Sequence, residues 1–206
     1  MITHFNCRLR DKDGGYKLTK ENFATGSNKS GLVPGSAISD KLYKKYLKEA
    51  PINFDYNMDF YSKLSKIEFS DMIENLVNET SFVEITNLQE YAEVSGLYAM
   101  IIEEYCQIYI GKADNIKKRI LRHWSQIMPL DRLIFGDTKR SRIGIDSFRA
   151  LDTSKILVYP LNLYEAAVLE NKYIEKISDK FLINRTIGGN IAPEVAIGNM
   201  KLRKLY

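Results

Sequence analysis

The sequence predicts an α/β (α+β) fold in which a small, mainly antiparallel three-stranded sheet is flanked by helices. Two short apolar runs, residues 96–102 and 107–111, are separated by polar residues, as is typical of a β-hairpin. An amphipathic helical pattern follows over 115–127. A third strand is predicted at 155–161, and a strong helix over 162–178. The resulting order, β-β-α-(α)-β-α, describes a sheet layered with helices.

The chain before this hairpin reads as a largely helical N-terminal elaboration. Residues 25–39 are rich in Gly, Ser, Asn and Pro, which indicates a long loop. Apolar spacing predicts helices over 40–49 and 57–78, the first capped by Asp40. A short helix is expected near 145–151. We therefore expect an N-terminal elaboration, a core and a C-terminal tail, over residues 1–94, 95–190 and 191–206.

Composition excludes several classes of protein. The chain has 206 residues, a formal net charge of +4 and two cysteines, too few for a zinc finger or a disulfide framework. The two thiols fit a reducing compartment. No apolar run approaches the ~18 residues of a membrane span, and the first residues lack the pattern of a signal peptide. We expect a cytoplasmic protein with no membrane partner.

Charge is sorted along the chain. Residues 1–50 hold 10 Lys/Arg and 5 Asp/Glu, residues 51–95 hold 2 and 9, and residues 111–142 hold 9 and 3. The two basic blocks are either solvated helix faces or two parts of one phosphate-binding surface. In the second block, the candidate nucleic-acid contacts are Lys112, Lys117, Lys118, Arg122, Lys139, Arg140 and Arg142.

The predicted hairpin brings two tyrosines together. If its turn centres on Glu103-Glu104, Tyr98 and Tyr109 lie directly opposite each other on one face, with Cβ atoms about 5 Å apart. Two facing tyrosines are either a structural pair or part of a site.

Polar groups interrupt the apolar faces of two predicted helices. Arg119 and His123 share one face with Ile116 and Ile120, and such groups on a core-facing surface are costly unless something uses them. The alternative is an arginine that extends past a partly buried histidine. Glu170 occupies the missing position in a stripe formed by Leu163, Ala167, Ile174, Ile177 and Phe181. A carboxylate in such a stripe needs a cation, either a metal ion or a buried arginine.

These residues together resemble the GIY-YIG nucleases. The resemblance begins with Gly96-Leu97-Tyr98, followed after ten residues by Tyr109-Ile110-Gly111, with Leu97 at the position of the family's isoleucine. It continues through Arg119, His123, Glu170 and Asn184, and it covers about residues 95–190, roughly half the chain. Nothing comparable marks residues 1–94.

The resemblance implies a role for each of these residues. Tyr98 would be the base or position the attacking water, and Tyr109 would support the phosphate or the water. Arg119 would bind the scissile phosphate. His123 would take a proton from Tyr98 or hold its hydroxyl. Asn184 would fix the loop after the last helix or hydrogen-bond Tyr98.

The resemblance also implies a bound metal ion and a tyrosine, Tyr98, whose pKa must be lowered if it acts as the base. Glu170 would be the single protein ligand of one Mg²⁺ or Mn²⁺ ion. Glu165 lies about 140° away around the same helix and is not expected to face the site. A free tyrosine titrates near pH 10, so base action near pH 7 needs about 4 kcal/mol of help. Arg119, Lys112 and the metal would supply it.

We therefore expect a metal-dependent DNA endonuclease, and first of all a type II restriction enzyme. The alternatives are a nonspecific nuclease effector or toxin of a defence system, or a catalytically silent nucleic-acid-binding protein. The expected partners are double-stranded DNA and a second copy of the chain, because cleavage of a palindrome favours a two-fold dimer. Residues 1–94 would contact DNA or dimerise.

Overall fold

The structure, a computed structural model, describes residues 2–11, 14–25, 40–126, 134, 136–185 and 201–204. It is a mixed α+β fold, as predicted. The strands are β1 (Thr3–His4), β2 (Cys7–Arg8), β3 (Val83–Ile85), β4 (Gly96–Ile102), β5 (Gln107–Ala113) and β6 (Lys155–Pro160). The helices are α1 (Lys20–Thr25), α2 (Asp40–Ser62), α3 (Lys66–Asn78), α4 (Ile116–Ser125) and α5 (Leu163–Lys176). Every helix among these residues is too short or too polar to span a bilayer.

The main sheet has four antiparallel strands in the order β3-β6-β4-β5. Three strands were predicted, and the addition is β3. Pro160 ends β6, as expected of a proline at a strand end, but β6 lies inside the sheet and not at its edge. The two outer strands of the sheet are β3 and β5, and β5 carries the Tyr-Ile-Gly sequence. A separate two-stranded hairpin joins β1 to β2.

The register of the β4–β5 hairpin differs from the prediction. Tyr98 pairs with Gly111, and Met100 pairs with Tyr109. The connection is a 3₁₀ turn over Glu103–Tyr105, followed by Cys106 in the left-handed conformation (φ 50°). This four-residue connection shifts the partner by two positions, so the two tyrosines are diagonal neighbours on the same face.

The sheet separates two layers. The face with Tyr98, Met100 and Ile102 packs against α4 and the N-terminal residues. The face with Leu97, Ala99 and Ile101 packs against α3 and α5. The alternation of side chains along β4 therefore assigns each helix to one side of the sheet.

Part of the N-terminal elaboration packs into the same sheet and core as the residues that follow it. Its β3 strand belongs to the main sheet, and its Phe23 and Phe54 belong to the same apolar cluster as Tyr98 and Met100. Residues on both sides of position 94 therefore share one sheet and one apolar cluster. The predicted loop over 25–39 begins at Thr25, which is instead the last residue of α1. Its residues 26–39, and the predicted tail apart from residues 201–204, lie outside the described residues.

Two helical predictions also change. The helices expected at 40–49 and in the first part of 57–78 form one helix, α2, which continues through Pro51. Its buried Asn53 donates to the carbonyls of Thr138 and Ser141, so α2 fixes the segment before the third strand of the core. The expected short helix near 145–151 is two 3₁₀ turns, Ile145–Ser147 and Ala150–Asp152.

Candidate active site

Tyr98 and Tyr109 meet above Gly111 on the α4 face of the sheet. Their ring centroids are 6.1 Å apart. A Cβ at position 111 would lie 2.6 Å from the Tyr98 hydroxyl oxygen and 2.9 Å from the Tyr109 ring. Only glycine leaves room for both rings here. Gly96, which opens β4, has φ +148° and lies against the carbonyl of Tyr159, so this position also favours glycine.

His123 connects this pair to α4. Its Nε2 lies 2.8 Å from the Tyr98 hydroxyl, and its ring centroid is 5.2 Å from that of Tyr109. Asn115 caps α4 by accepting a hydrogen bond from the Lys118 N–H, which sets the helix start and its phase. His123 is 2% exposed and Tyr98 is 0% exposed, so the contact is shielded from solvent.

A carboxylate completes the line on the other side of the imidazole. Asp146, in the 3₁₀ turn Ile145–Ser147, forms a hydrogen bond with His123 Nδ1 and is 3% exposed. When Nδ1 carries the proton and donates to Asp146, Nε2 is left as an acceptor toward the Tyr98 O–H. Tyr98, His123 and Asp146 therefore form one buried hydrogen-bonded chain.

Asp146 was not predicted from the sequence. It lies 23 positions from His123 in a segment without a periodic pattern. Its neighbours Ile143, Ile145 and Phe148 are all buried. A lone carboxylate among apolar residues was the available signal, and a histidine on a core-facing helix surface was its natural partner.

The phenol groups in the site hold their protons. Burial raises the pKa of Tyr98 to about 12, although the charge of Arg119 and its hydrogen bond to Tyr98 act in the opposite direction. Burial also raises the pKa of Tyr109 well above its usual value. The cations of the protein itself therefore do not bring the pKa of Tyr98 down toward 7. A protonated phenol can accept a proton only if its own proton leaves at the same time, and His123 Nε2, 2.8 Å away, is placed to take it.

Arg119 points toward the two tyrosines from the same face of α4. Burial lowers its pKa, but the neighbouring groups Tyr98, Tyr109 and Asp146 outweigh that effect and raise it, so the guanidinium stays charged. Among the described residues it has no salt bridge, and its buried Nε has no hydrogen-bond partner. A charged guanidinium that has no carboxylate partner among the described residues and faces two hydroxyl groups is suited to an anionic ligand.

Asn184 holds the edge strand from outside the sheet. Its Oδ1 accepts from the Ile110 N–H at 3.0 Å, and its Nδ2 donates to the Ile110 carbonyl at 2.7 Å. Two residues before this contact in each segment, Leu182 forms a parallel β-bridge with Ile108. Asn184 thus ties the backbone of Tyr109-Ile110-Gly111 to the segment after α5.

Glu170 lies on the other side of β5. It is 5% exposed on α5 and forms an ion pair with Lys112, whose side chain alternates with Gly111 and projects to the α5 face. Its charge still contributes to the raised pKa of Tyr109, so the carboxylate is electrostatically close to the site. Glu165 is exposed, as predicted. Leu163 is 45% exposed and does not belong to the buried stripe, which Ala166, Tyr173, Ile174 and Ile177 form around Glu170.

The residues fit a metal that takes few ligands from protein. No group of three His, Cys, Asp or Glu that could hold a metal occurs in the described part of the chain. Glu170 is a buried carboxylate whose partner is a single ammonium group, and that place suits a cation. One carboxylate, with phosphate oxygens and water, is a common Mg²⁺ arrangement.

The predicted nucleic-acid contacts separate into three groups. Lys118, Arg122, Lys139 and Arg140 are exposed, and Lys117 is half-buried and donates to Gln89. Lys112 is held by Glu170. Arg142 is 7% exposed and donates to the carbonyls of Asp179 and Leu182. It therefore has a structural role and leaves the set of candidate phosphate contacts.

Comparison with protein-family models, with curated proteins and with solved structures finds no match for this chain. The resemblance to GIY-YIG nucleases therefore depends on the residues quoted above and on their arrangement.

Proposed function

We propose that this protein is a phosphodiester hydrolase of the GIY-YIG type that cuts DNA. The observation that carries the proposal is the buried chain from Tyr98 through His123 to Asp146, with the charged Arg119 beside it. A chain of proton acceptors beside a guanidinium that lacks a carboxylate partner among the described residues would supply both requirements of phosphodiester hydrolysis, an activated water and stabilisation of negative charge.

The reaction uses Tyr98 as a proton carrier. A water molecule attacks phosphorus and gives its proton to the Tyr98 oxygen as the phenolic proton passes to His123 Nε2. Asp146 stabilises the resulting imidazolium through Nδ1–H, the division of labour known from Ser-His-Asp sites. The phosphorus–oxygen bond to the leaving group breaks, and the departing oxygen takes a proton from solvent.

Arg119 and the tyrosines place the substrate. The guanidinium binds the non-bridging oxygens of the scissile phosphate, where charge increases in the transition state. The Tyr109 hydroxyl donates to the same phosphate or to the water. Glu170 would hold one Mg²⁺ or Mn²⁺ ion once Lys112 moves away, and the ion would act as a Lewis acid toward a phosphate oxygen.

The first experiment is conversion of supercoiled plasmid with Mg²⁺, with Mn²⁺ and with excess EDTA. Cleavage should occur with metal and stop with chelator. Glu170→Gln should abolish it, whereas Glu165→Gln, an exposed carboxylate on the same helix, should leave it unchanged. Cleavage that persists in EDTA would contradict the metal role, and an inactive Glu165→Gln beside an active Glu170→Gln would contradict the assignment of the ligand.

Mapping of the plasmid ends distinguishes the kinds of nuclease. Discrete fragments support a sequence-specific type II restriction enzyme, the first candidate. A smear supports a nonspecific nuclease effector or toxin. Binding without cleavage by the intact chain would support the catalytically silent alternative, although Tyr98, Arg119, His123 and Glu170 are all present.

A further inference from the structure

A large open cleft lies between the N-terminal hairpin and the outer side of α4. Its volume is about 1320 Å³. One wall comes from β2 and the residues after it, and the other comes from α4. Its described lining is Arg8, Leu9, Arg10, Asp11, Ala92, Glu93, Asn115, Lys117, Lys118, Leu121, Arg122, Trp124, Ser125 and Gln126.

The N-terminal hairpin is fixed against α4 by aromatic and polar contacts. The Phe5 ring stacks near Trp124 at 6.2 Å, and the His4 ring lies 5.5 Å from the same indole. His4 Nε2 hydrogen-bonds the Thr153 carbonyl at 2.7 Å, and the Leu88 N–H donates to the Phe5 carbonyl at 3.0 Å. The two walls of the cleft therefore keep a defined separation.

The charge on both walls has the same sign. Arg8 and Arg10 are exposed on the hairpin wall. On the other wall, α4 contributes Lys117, Lys118 and Arg122. Asp11 and Glu93 are the acidic residues among the described lining. None of the five cations forms a salt bridge within the described part of the chain. Two rows of cations that face each other across an open cleft are suited to a polyanion.

The aromatic content of the lining indicates which polyanion fits. Trp124 is the one aromatic residue in the described lining, is 3% exposed, and donates its indole N–H to Thr153. Binding sites for single-stranded nucleic acid usually present exposed rings on which bases stack. The cleft offers charge without such a platform, so it is suited to the paired, base-shielded backbone of a duplex.

The position of the cleft connects it to the candidate site through one helix. Arg119 and His123 face the sheet, whereas Lys118 and Arg122 are exposed on the other side of α4. With a diameter of about 10 Å, α4 separates the two regions by less than the width of a duplex. One DNA molecule can therefore contact both.

We infer that this cleft binds the sugar–phosphate backbone of duplex DNA, with Arg8 and Arg10 as the N-terminal contacts. The inference deepens the proposed nuclease function and rests on it. It assigns part of the N-terminal elaboration to substrate binding outside the catalytic residues.

The test is the salt dependence of duplex binding by the full chain, measured by fluorescence anisotropy in EDTA so that no cleavage intervenes. The variant is Arg8→Gln with Arg10→Gln. The control is Lys172→Gln with Lys176→Gln, which removes the same charge from exposed positions of α5 on the other face of the sheet. Each lost phosphate contact should make the negative slope of log affinity against log salt shallower by about 0.9. The slope of the variant should therefore be shallower by up to about 2, and the slope of the control should not change.

Several results would overturn the inference. These are an unchanged slope in the Arg8/Arg10 variant, an equal change in the control, or tighter binding of a single strand than of the duplex. Thermal melting of each variant checks that the hairpin has stayed folded. Cleavage that is independent of Arg8 and Arg10 would reject the cleft and leave the nuclease proposal in place. If DNA binding depends on Arg8 and Arg10 but the chain never cleaves DNA, the cleft would stand as a binding site and the nuclease proposal would be rejected.

Discussion

The Tyr98 hydroxyl and Nε2 of His123 lie 2.8 Å apart in a place where neither side chain is more than 2% exposed. The phenol comes from β4 and the imidazole from α4, so the contact joins the sheet to the helix that carries Arg119. A buried phenol with a raised pKa can lose its proton only to a nearby acceptor, and His123 Nε2 lies within hydrogen-bond distance.

Asp146 should be essential for turnover although it does not touch the substrate. Asp146→Asn should lower the cleavage rate by roughly 10²–10⁴-fold, the range for loss of positioned acid–base catalysis, because an amide cannot stabilise the imidazolium. DNA binding should change little. The readout specific to positioning is the pH profile: the rate of the variant should depend more steeply on pH, as hydroxide replaces the lost base.

Asp71→Asn is the matched control, because Asp71 is an exposed carboxylate on α3. It should keep the activity of the unmodified chain. A fully active Asp146→Asn variant with an unchanged pH profile would remove Asp146 from the reaction and leave it a structural partner of His123.

Gly111 should not tolerate even one methyl group. Gly111→Ala brings a Cβ to within 2.6 Å of the Tyr98 oxygen, so Tyr98 must move away from His123. We expect a loss of stability of about 1–3 kcal/mol, as for other overpacked sites, together with a loss of activity of at least about 10²-fold.

A double variant separates packing from chemistry. Tyr98→Phe with Gly111→Ala removes the nearest of the clashing atoms, while the Tyr98 and Tyr109 rings still lie 2.8 and 2.9 Å from the new Cβ. The double variant should regain a small part of the stability measured by urea unfolding, with no gain in activity. Equal destabilisation in the single and double variants would mean that the contacts with the two rings, and not the contact with the Tyr98 hydroxyl, determine the loss of stability.

The ionisation of Tyr98 should appear in the alkaline limb of the stability profile. Burial raises its pKa from the usual 10 to about 12, so the folded chain holds the phenolic proton more tightly than the unfolded chain does. The stabilisation is complete below pH 10 and is lost as the pH rises through 12. A pKa difference of this size corresponds to roughly 3 kcal/mol.

Tyr98→Phe should therefore lose less stability between pH 10 and 12 than the unmodified chain. Tyr61, whose pKa burial also raises to about 12, contributes to both curves and cancels in the comparison. Parallel curves would show that Tyr98 ionises as an ordinary exposed tyrosine.

The parts of the fold with strong local patterns could be predicted from the sequence. The hairpin, α4, β6 and α5 have periodic apolar residues, and capping residues mark the starts of both helices. The two-residue shift of the hairpin could not be predicted, because it depends on the left-handed conformation of Cys106, a residue without a special preference for it. The strand β3 has three residues, too few for an alternating pattern.

The candidate site was predictable only as far as its residues lie on regular elements. Tyr98, Tyr109, Arg119 and His123 follow from strand and helix phase. Asp146 lies in an irregular segment positioned by distant contacts, such as those from Asn53 and Asn57 of α2 to the Ser141 carbonyl. Such contacts join residues more than 80 positions apart, and no local pattern reports them.

The measurement that tests the central claim most directly is the single-turnover rate of plasmid cleavage by Tyr98→Phe in Mg²⁺. The control is Tyr164→Phe, which removes the hydroxyl of a residue on α5 that is 82% exposed. Loss of the proton carrier should lower the rate by at least about 10²-fold with duplex binding intact, while the control should match the unmodified chain. Equal cleavage by both variants would contradict the role of Tyr98 and, with it, the proposed mechanism.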